Sequence, residues 1–273
     1  MKTSTRKSHS DLTDFTGLMI TYILPTYHED QLSSTLQRLQ AYLEESSLGD
    51  YEILVVDDSP SPYFKALSQE LLNRGDDRIR LIQGPRHGKG AAVRQGILES
   101  KGDIVFFMDA DLPVDLKQIE VFAQLIRSDT FEAVIAQRIR NFKSSTGLRT
   151  FLSYGLFTLQ WLLVFQRLRF RDTQCGFKAV RGTLARKLAR LQRVEGGMFD
   201  IELLYAAVVN HVRIGSVWVE PQPELRASKI RIAKCLIDDP LALLILKLRG
   251  LRGHYRLRDC AALPQLDEPN GHK

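Results

Sequence analysis

The sequence predicts an α/β fold built on a mostly parallel sheet with helices on both faces. Short apolar segments rich in Ile, Val, Leu and Phe recur through the first half of the chain. Between them lie stretches whose apolar residues fall three and four apart, the spacing of one helical face. The 273 residues, 44% hydrophobic and 26% charged, suffice for one large core and exclude disordered and fibrous classes.

Taken in order, residues 1–18 are polar and read as a flexible N-terminal segment. Met19–Leu24, Tyr51–Val56, Ile79–Gln83, Asp103–Met108 and Ala133–Ala136 are predicted strands. Gln31–Glu45, Pro62–Arg74, Ala91–Ser100 and Val114–Arg127 are the helices between and around them. Such alternation argues for parallel strands joined by helical crossovers. Ligands of these sheets bind at the carboxyl ends of the strands.

The pattern changes after Arg138. Thr150–Gln166 is uncharged over 17 residues and sets Phe151, Tyr154, Phe157, Trp161 and Phe165 on one helical face. Its length and its Ser153, Thr158 and Gln160 suit an interfacial or core helix better than a membrane span. Residues 240–258 form a basic amphipathic segment, with Leu241, Leu244, Ile245 and Leu248 set against Lys247, Arg249, Arg252, Arg256 and Arg258. Such a make-up suits a membrane-surface helix, or a helix packed on the sheet with its basic side in water. Residues 259–273 read as a flexible tail.

Charge is unevenly spread. Residues 1–136 carry 14 Lys and Arg against 21 Asp and Glu, whereas residues 137–258 carry 23 against 8. An acidic front joined to a basic back implies a phosphate-bearing partner or an anionic membrane surface, with a solvated basic face as the plain alternative. Three cysteines without paired spacing exclude a disulfide framework and a Cys-based zinc site, and suit a reducing compartment. The polar start has no signal-peptide core, so a cytoplasmic location is expected. No nucleic-acid-binding motif accompanies the basic segment.

Three motifs follow predicted strands. Asp109-Ala110-Asp111 sets two carboxylates where they can share Mg²⁺ or Mn²⁺, ions that take a few carboxylates and complete their shell with substrate phosphates. Asp57-Asp58 follows the second strand, where a carboxylate can accept hydrogen bonds from a base or ribose. Arg86-His87-Gly88-Lys89-Gly90 precedes a helix, where glycines, unpaired N–H groups and a lysine can meet a phosphate. Each of the three also arises in ordinary loops; their order along one chain is more specific.

Together with Ile23-Leu24-Pro25-Thr26-Tyr27-His28-Glu29, these motifs resemble the nucleotide-sugar half of the family 2 glycosyltransferases. Asp172-Thr173-Gln174-Cys175-Gly176-Phe177-Lys178, Phe199-Asp200-Ile201-Glu202-Leu203 and Arg226-Ala227-Ser228-Lys229 resemble later motifs of the dolichyl-phosphate β-glucosyltransferases and related polyprenyl-phosphate sugar transferases. The resemblance implies a single GT-A type nucleotide-sugar-binding fold over residues 19–239, followed by C-terminal amphipathic helices. His28 and Arg86 stand where relatives usually have Asn. Pro113 stands where some have a metal-binding Gln, with Asp115 as a possible substitute.

Carried over residue by residue, the resemblance implies a donor site of Pro25, Tyr27, Glu29, Asp57, Asp58, Lys89, Asp109, Gln174, Cys175 and Gly176. Asp109, Asp111 and Asp200 would be catalytic, with Asp111 and Asp109 holding the metal and Asp200 and Glu202 facing the reacting centre. Arg138, Arg149 and Ser153 would receive the acceptor phosphate. The reaction implied is inverting transfer of a hexose, glucose before mannose, from a nucleotide diphosphate sugar, UDP before GDP. The acceptor would be a polyprenyl or dolichyl phosphate, met by a peripheral protein on the cytoplasmic face of a membrane. A soluble family 2 enzyme acting on a small hydroxylated acceptor is the competing reading.

Overall fold

A computed structural model describes residues 15–139, 170, 172–220, 222 and 232–257, the side chains of 232–239 excepted. Among these residues seven strands form one sheet: β1 (Met19–Thr26), β2 (Asp50–Asp57), β3 (Ile79–Gln83), β4 (Ile104–Met108), β5 (Ala133–Arg138), β6 (Phe177–Arg181) and β7 (Ile214–Val219). Their order is β3-β2-β1-β4-β6-β5-β7. Pairing is parallel throughout except at β6, which runs against both β4 and β5.

Among the described residues, seven helices flank the sheet: α1 (Leu32–Glu45), α2 (Ser61–Arg74), α3 (Lys89–Glu99), α4 (Gln118–Arg127), α5 (Gly182–Leu191), α6 (Phe199–Val209) and α7 (Ile232–Leu251). The strand pleat divides the core into two layers. On β4, Ile104, Phe106 and Met108 join one layer with Leu36 and Leu39 of α1 and Phe122 of α4. Val105 and Phe107 of the same strand join the other, with Val93 of α3, Leu188 of α5 and Phe199 of α6. Tyr22 of β1 stacks on Phe106 at 5.3 Å between ring centroids.

Every predicted strand of the first half is present, Ile79–Gln83 with both ends as expected and the others with ends shifted by no more than two residues. α4 begins at Gln118 rather than Val114, because Val114–Lys117 form a turn in which the Lys117 N–H bonds the Asp115 carboxylate. Two strands, β6 and β7, go beyond the sequence expectation. Lys178 and Arg181 break the apolar run of β6, and β7 is half exposed.

The C-terminal helix also differs from expectation. α7 starts at Ile232 and carries Pro240 inside it, so the proline does not open the helix. It stops at Leu251, and Gly253 takes a left-handed φ of 77° in the turn that follows. Its inward face is Leu243 and Leu246, and Gly250 packs where a Cβ would fall 2.1 Å from the Tyr205 hydroxyl. Leu241, Leu244, Ile245, Leu248 and Leu251 are exposed. Phe151–Phe165 and Arg226–Lys229 lie outside the described residues.

Candidate active site

Parallel strands deliver their carboxyl ends to one edge, and this sheet does so four times in succession, at Thr26, Asp57, Gln83 and Met108. The antiparallel β6 adds a fifth approach, since Phe177 at its start pairs with Met108. The residues leading into β6, Gln174–Gly176, therefore meet the Asp109–Asp111 turn, and the Asp109 N–H donates to the Gly176 carbonyl at 2.9 Å. A Cβ on Gly176 would sit 2.1 Å from a carboxylate oxygen of Asp109, so any larger residue there displaces the Asp109 side chain.

Asp57 and Asp58 part ways at the end of β2. Asp57 is fully buried and accepts hydrogen bonds from the Thr26 hydroxyl at 2.8 Å and from the Ser59 N–H at 3.0 Å. It ties β2 to β1, and of the two carboxylates that the resemblance counts in the donor site only Asp58 lines the cleft described next. Asp58 spans the next loop, accepting the Arg86 N–H at 2.9 Å and the Gly88 N–H at 3.1 Å. It thereby shapes the turn that lets Gly88, with a φ of 110°, start α3 at Lys89.

A cleft of about 650 Å³ opens at this edge. Pro25, Thr26 and Tyr27 line it from β1, Asp58 and Pro60 from β2, and Arg86, Gly88, Lys89 and Ala92 from the turn into α3. The volume lies in the range of small-molecule sites. Tyr27 is 64% exposed and sets its ring edge-on to His28, which in turn meets Tyr63. Such open aromatic faces suit a planar base.

At the mouth of the cleft, Lys89 forms an ion pair with Asp109. Burial alone would lower the Lys89 ammonium, but Asp109, Asp200 and Asp111 together hold it above its ordinary value. Burial and then the Asp109 carboxylate push the Asp111 carboxyl upward, with Glu29 adding to the effect. Asp111 Oδ1 is buried and has no hydrogen-bond partner. An orphaned carboxylate oxygen beside a second carboxylate is the chemistry a divalent cation would satisfy. Among the described residues no three His, Cys, Asp or Glu side chains surround a common point. Asp109 and Asp111 thus fit Mg²⁺ or Mn²⁺ as a partial shell to be completed by phosphate oxygens and water.

Other expected residues are placed differently. Cys175 is fully buried in the core, and burial raises its thiol to about 11. Its contribution at this edge is its carbonyl, which accepts the Lys178 ammonium at 2.6 Å. Gln174 keeps its side chain at this edge, near the Met198 sulfur at 3.7 Å. Arg138 pairs in a fork with Asp172, at 2.6 Å and 3.2 Å. Burial would raise the Asp172 carboxyl, but the guanidinium holds it below the usual range. Arg149 and Ser153 lie outside the described residues.

Asp200 is buried and bonded to Lys178 at 2.6 Å, the ammonium in turn lying 5.6 Å from the Phe107 ring centroid. Lys178 is the residue sequence reasoning passed over. A lysine at an inward pleat position needs a buried partner, a signal readable only once β6 is recognised as a strand. Glu202 does not face the reacting centre. It is fully buried, accepting the Arg193 and Val194 N–H groups at 2.8 Å and 2.7 Å and the Tyr255 hydroxyl at 2.5 Å.

A carboxylate pair beside a lysine at the mouth of such a sheet has the chemistry to meet a diphosphate, and the mostly parallel topology is that of the GT-A glycosyltransferases. Residues 21–187 match the model described as Glycosyl transferase family 2, and the chain belongs to that family. It is 29% identical over 255 residues to the dolichyl-phosphate beta-glucosyltransferase of Mus musculus, covering 88% of this chain and 78% of that enzyme. It is 35% identical over 215 residues to the Drosophila melanogaster enzyme of the same name, covering 72% and 64%. Its fold is similar to that of glucosyl-3-phosphoglycerate synthase from Mycobacterium tuberculosis in complex with Mn²⁺, UDP-glucose and phosphoglyceric acid. The TM-score is 0.61 at 20% identity, over 92% of this chain and 84% of that one.

Proposed function

We propose that the protein transfers glucose from UDP-glucose to dolichyl phosphate or a related polyprenyl phosphate, with inversion, at the cytoplasmic face of a membrane. The observation that carries this reading is Lys89 set against Asp109 and Asp111 at the mouth of the cleft, in a chain similar over most of its length to dolichyl-phosphate beta-glucosyltransferases. Tyr27 would hold the base, and Lys89 would contact the diphosphate. A divalent ion held by Asp109 and Asp111 would neutralise charge on the departing diphosphate.

An acceptor phosphate oxygen attacks the anomeric carbon while the bond from that carbon to the diphosphate oxygen breaks, and the nucleoside diphosphate leaves with the electron pair. A phosphate monoester is already anionic near neutral pH, so no proton has to be removed. That agrees with Asp200, whose carboxylate is tied to Lys178 and suited to orienting the site rather than taking a proton. Arg149 and Ser153 are assigned to the acceptor phosphate, and Arg138, at the end of β5 and already paired with Asp172, to the edge of that site. The exposed apolar face of α7, with Lys247, Arg249 and Arg252 nearby, is assigned to the membrane.

The test is transfer measured with UDP-glucose, UDP-galactose, GDP-mannose and GDP-glucose against dolichyl phosphate and a water-soluble alcohol, with and without Mn²⁺. Transfer from UDP-glucose to the lipid phosphate, lost in chelator, is expected. The variant Arg149→Ala should raise the acceptor constant about tenfold or more and leave the donor constant unchanged. Turnover in excess chelator, or preference for the alcohol, overturns the reading.

A further inference from the structure

The residues joining α5 to α6 are interlocked with the turn that presents Lys89. The Ala91 N–H, in the first turn of α3, donates to the Glu195 carbonyl at 3.1 Å. The Gln192 side-chain amide donates to the Gly90 carbonyl at 2.8 Å. A Cβ on Gly90 would fall 2.6 Å from Phe199 Cβ and 2.7 Å from the Val194 carbonyl, and one on Gly88 would fall 3.0 Å from the Glu195 carbonyl. Lys89 therefore stands on a helix start whose seat is the 192–197 connection.

That connection is itself held by a buried charge. Glu202 Oε2 takes the N–H groups of Arg193 and Val194, and Oε1 takes the hydroxyl of Tyr255. Tyr255 comes from beyond α7, is fully buried, and packs edge-on against Tyr205 at 5.6 Å. Asn210 fastens the same stretch from both sides, donating to the Tyr255 carbonyl at 2.5 Å and accepting the Leu257 N–H at 2.7 Å. A fully buried carboxylate relies on these donors, so losing one loosens what the others hold.

We propose that Glu202 and Tyr255 are positioning residues for Lys89, making the segment after α7 a working part of the nucleotide site although it touches no substrate. The chain of contacts runs from Tyr255 through Glu202 to the Val194–Glu195 backbone, and from there to Ala91 and the first turn of α3. The inference rests on the reading of Lys89 as a diphosphate ligand. It adds that the site depends on a residue more than 160 positions downstream of Lys89.

Tyr255→Phe tests this in the full chain, since it removes one hydroxyl and keeps the packed ring. Amide hydrogen exchange is read at residues 86–93 and at the strand interiors, and UDP and GDP affinities are read with Mn²⁺ present. Exchange at 86–93 should rise about fivefold or more while β1 and β2 stay protected. UDP affinity should fall by a similar factor, about the net worth of one ordinary hydrogen bond. The acceptor constant should not move. Glu202→Gln, which keeps an acceptor oxygen for the two N–H groups, should be milder than Glu202→Ala. Unchanged exchange at 86–93, or equal loosening of the whole sheet, overturns the proposal. A wild-type protein that binds neither nucleotide defeats the reading of Lys89, while the exchange measurement still decides the coupling.

Discussion

Asp111 is the residue whose surroundings serve it least. Its carboxyl is raised in the folded chain by burial and by Asp109, so ionising it works against folding. The sign follows: with the folded value above the unfolded one, its contribution is present at low pH and lost as pH rises through the folded value. Near neutral pH and without metal, Asp111→Asn should melt at or above the wild-type temperature and lose the stabilisation that Mn²⁺ with UDP gives. A variant that melts lower in chelator and is still stabilised by Mn²⁺ refutes this. Asp172 has the opposite sign, since Arg138 holds it below the usual carboxylate range. The pair's contribution is present at neutral pH and lost as pH falls through that depressed value. Arg138→Ala should cost about 2–4 kcal/mol at neutral pH by leaving a buried carboxylate unpaired. The gap between variant and wild type in urea unfolding should narrow in acid; a gap that does not change with pH contradicts the assignment. That Lys89, Asp109 and Asp111 would gather at one edge of the sheet was legible in the sequence, because each follows a strand. The fates of Asp57, Cys175 and Glu202 were not, since a motif names residues at an edge and does not say which side chains turn inward.

At the scale of elements, legibility followed the clarity of the pattern. β1 to β5 are short apolar runs between helices, and they were readable nearly to their ends. β6 hides because Lys178 is charged yet faces inward, its partner Asp200 lying 22 residues away. α7 shows a different limit. The four leucines and isoleucines read as its apolar side are the ones in water, while Leu243 and Leu246 do the packing. A helix apolar on two sides gives no single face to the eye. The two faces separate experimentally. Leu243→Ala should destabilise by about 2–4 kcal/mol, the usual range for an emptied core site. Leu244→Ser should leave stability within about 0.5 kcal/mol and weaken binding to lipid vesicles. If Leu244→Ser unfolds the protein as readily as Leu243→Ala, the outward face is not free.

For the whole molecule, the division of charge is the property to test. Residues 137–258 hold an excess of 15 positive charges, and the exposed face of α7 lies among them. Basic residues near an anionic bilayer contribute about 1 kcal/mol each, screened over about 8 Å at physiological salt. Sedimentation with vesicles should therefore retain the protein on phosphatidylserine at low salt and release it at high salt or on neutral lipid. Protein left in the supernatant under the first condition removes the membrane from the account. This asymmetry was readable from composition alone, whereas the surface that displays it required the fold.

The reversed direction of β6 carries one more consequence. β5 ends at the same edge where β6 begins, so the chain from Ile139 to Gly176 departs from and returns to one place on the sheet. Arg138 and Asp172 close that excursion with their paired fork, as a clasp closes a bracelet. Because the two ends are already joined, a change of length between them should alter the closure entropy only logarithmically and leave the register of β5 and β6 untouched. Grafting residues 140–170 from a relative of different acceptor preference should transfer that preference while UDP affinity stays within about threefold. A graft that folds but loses nucleotide binding would show that the two halves of the site were never separable. If they are separable, such sheets can diversify their acceptors by editing one bracelet while the donor grip stays as it is.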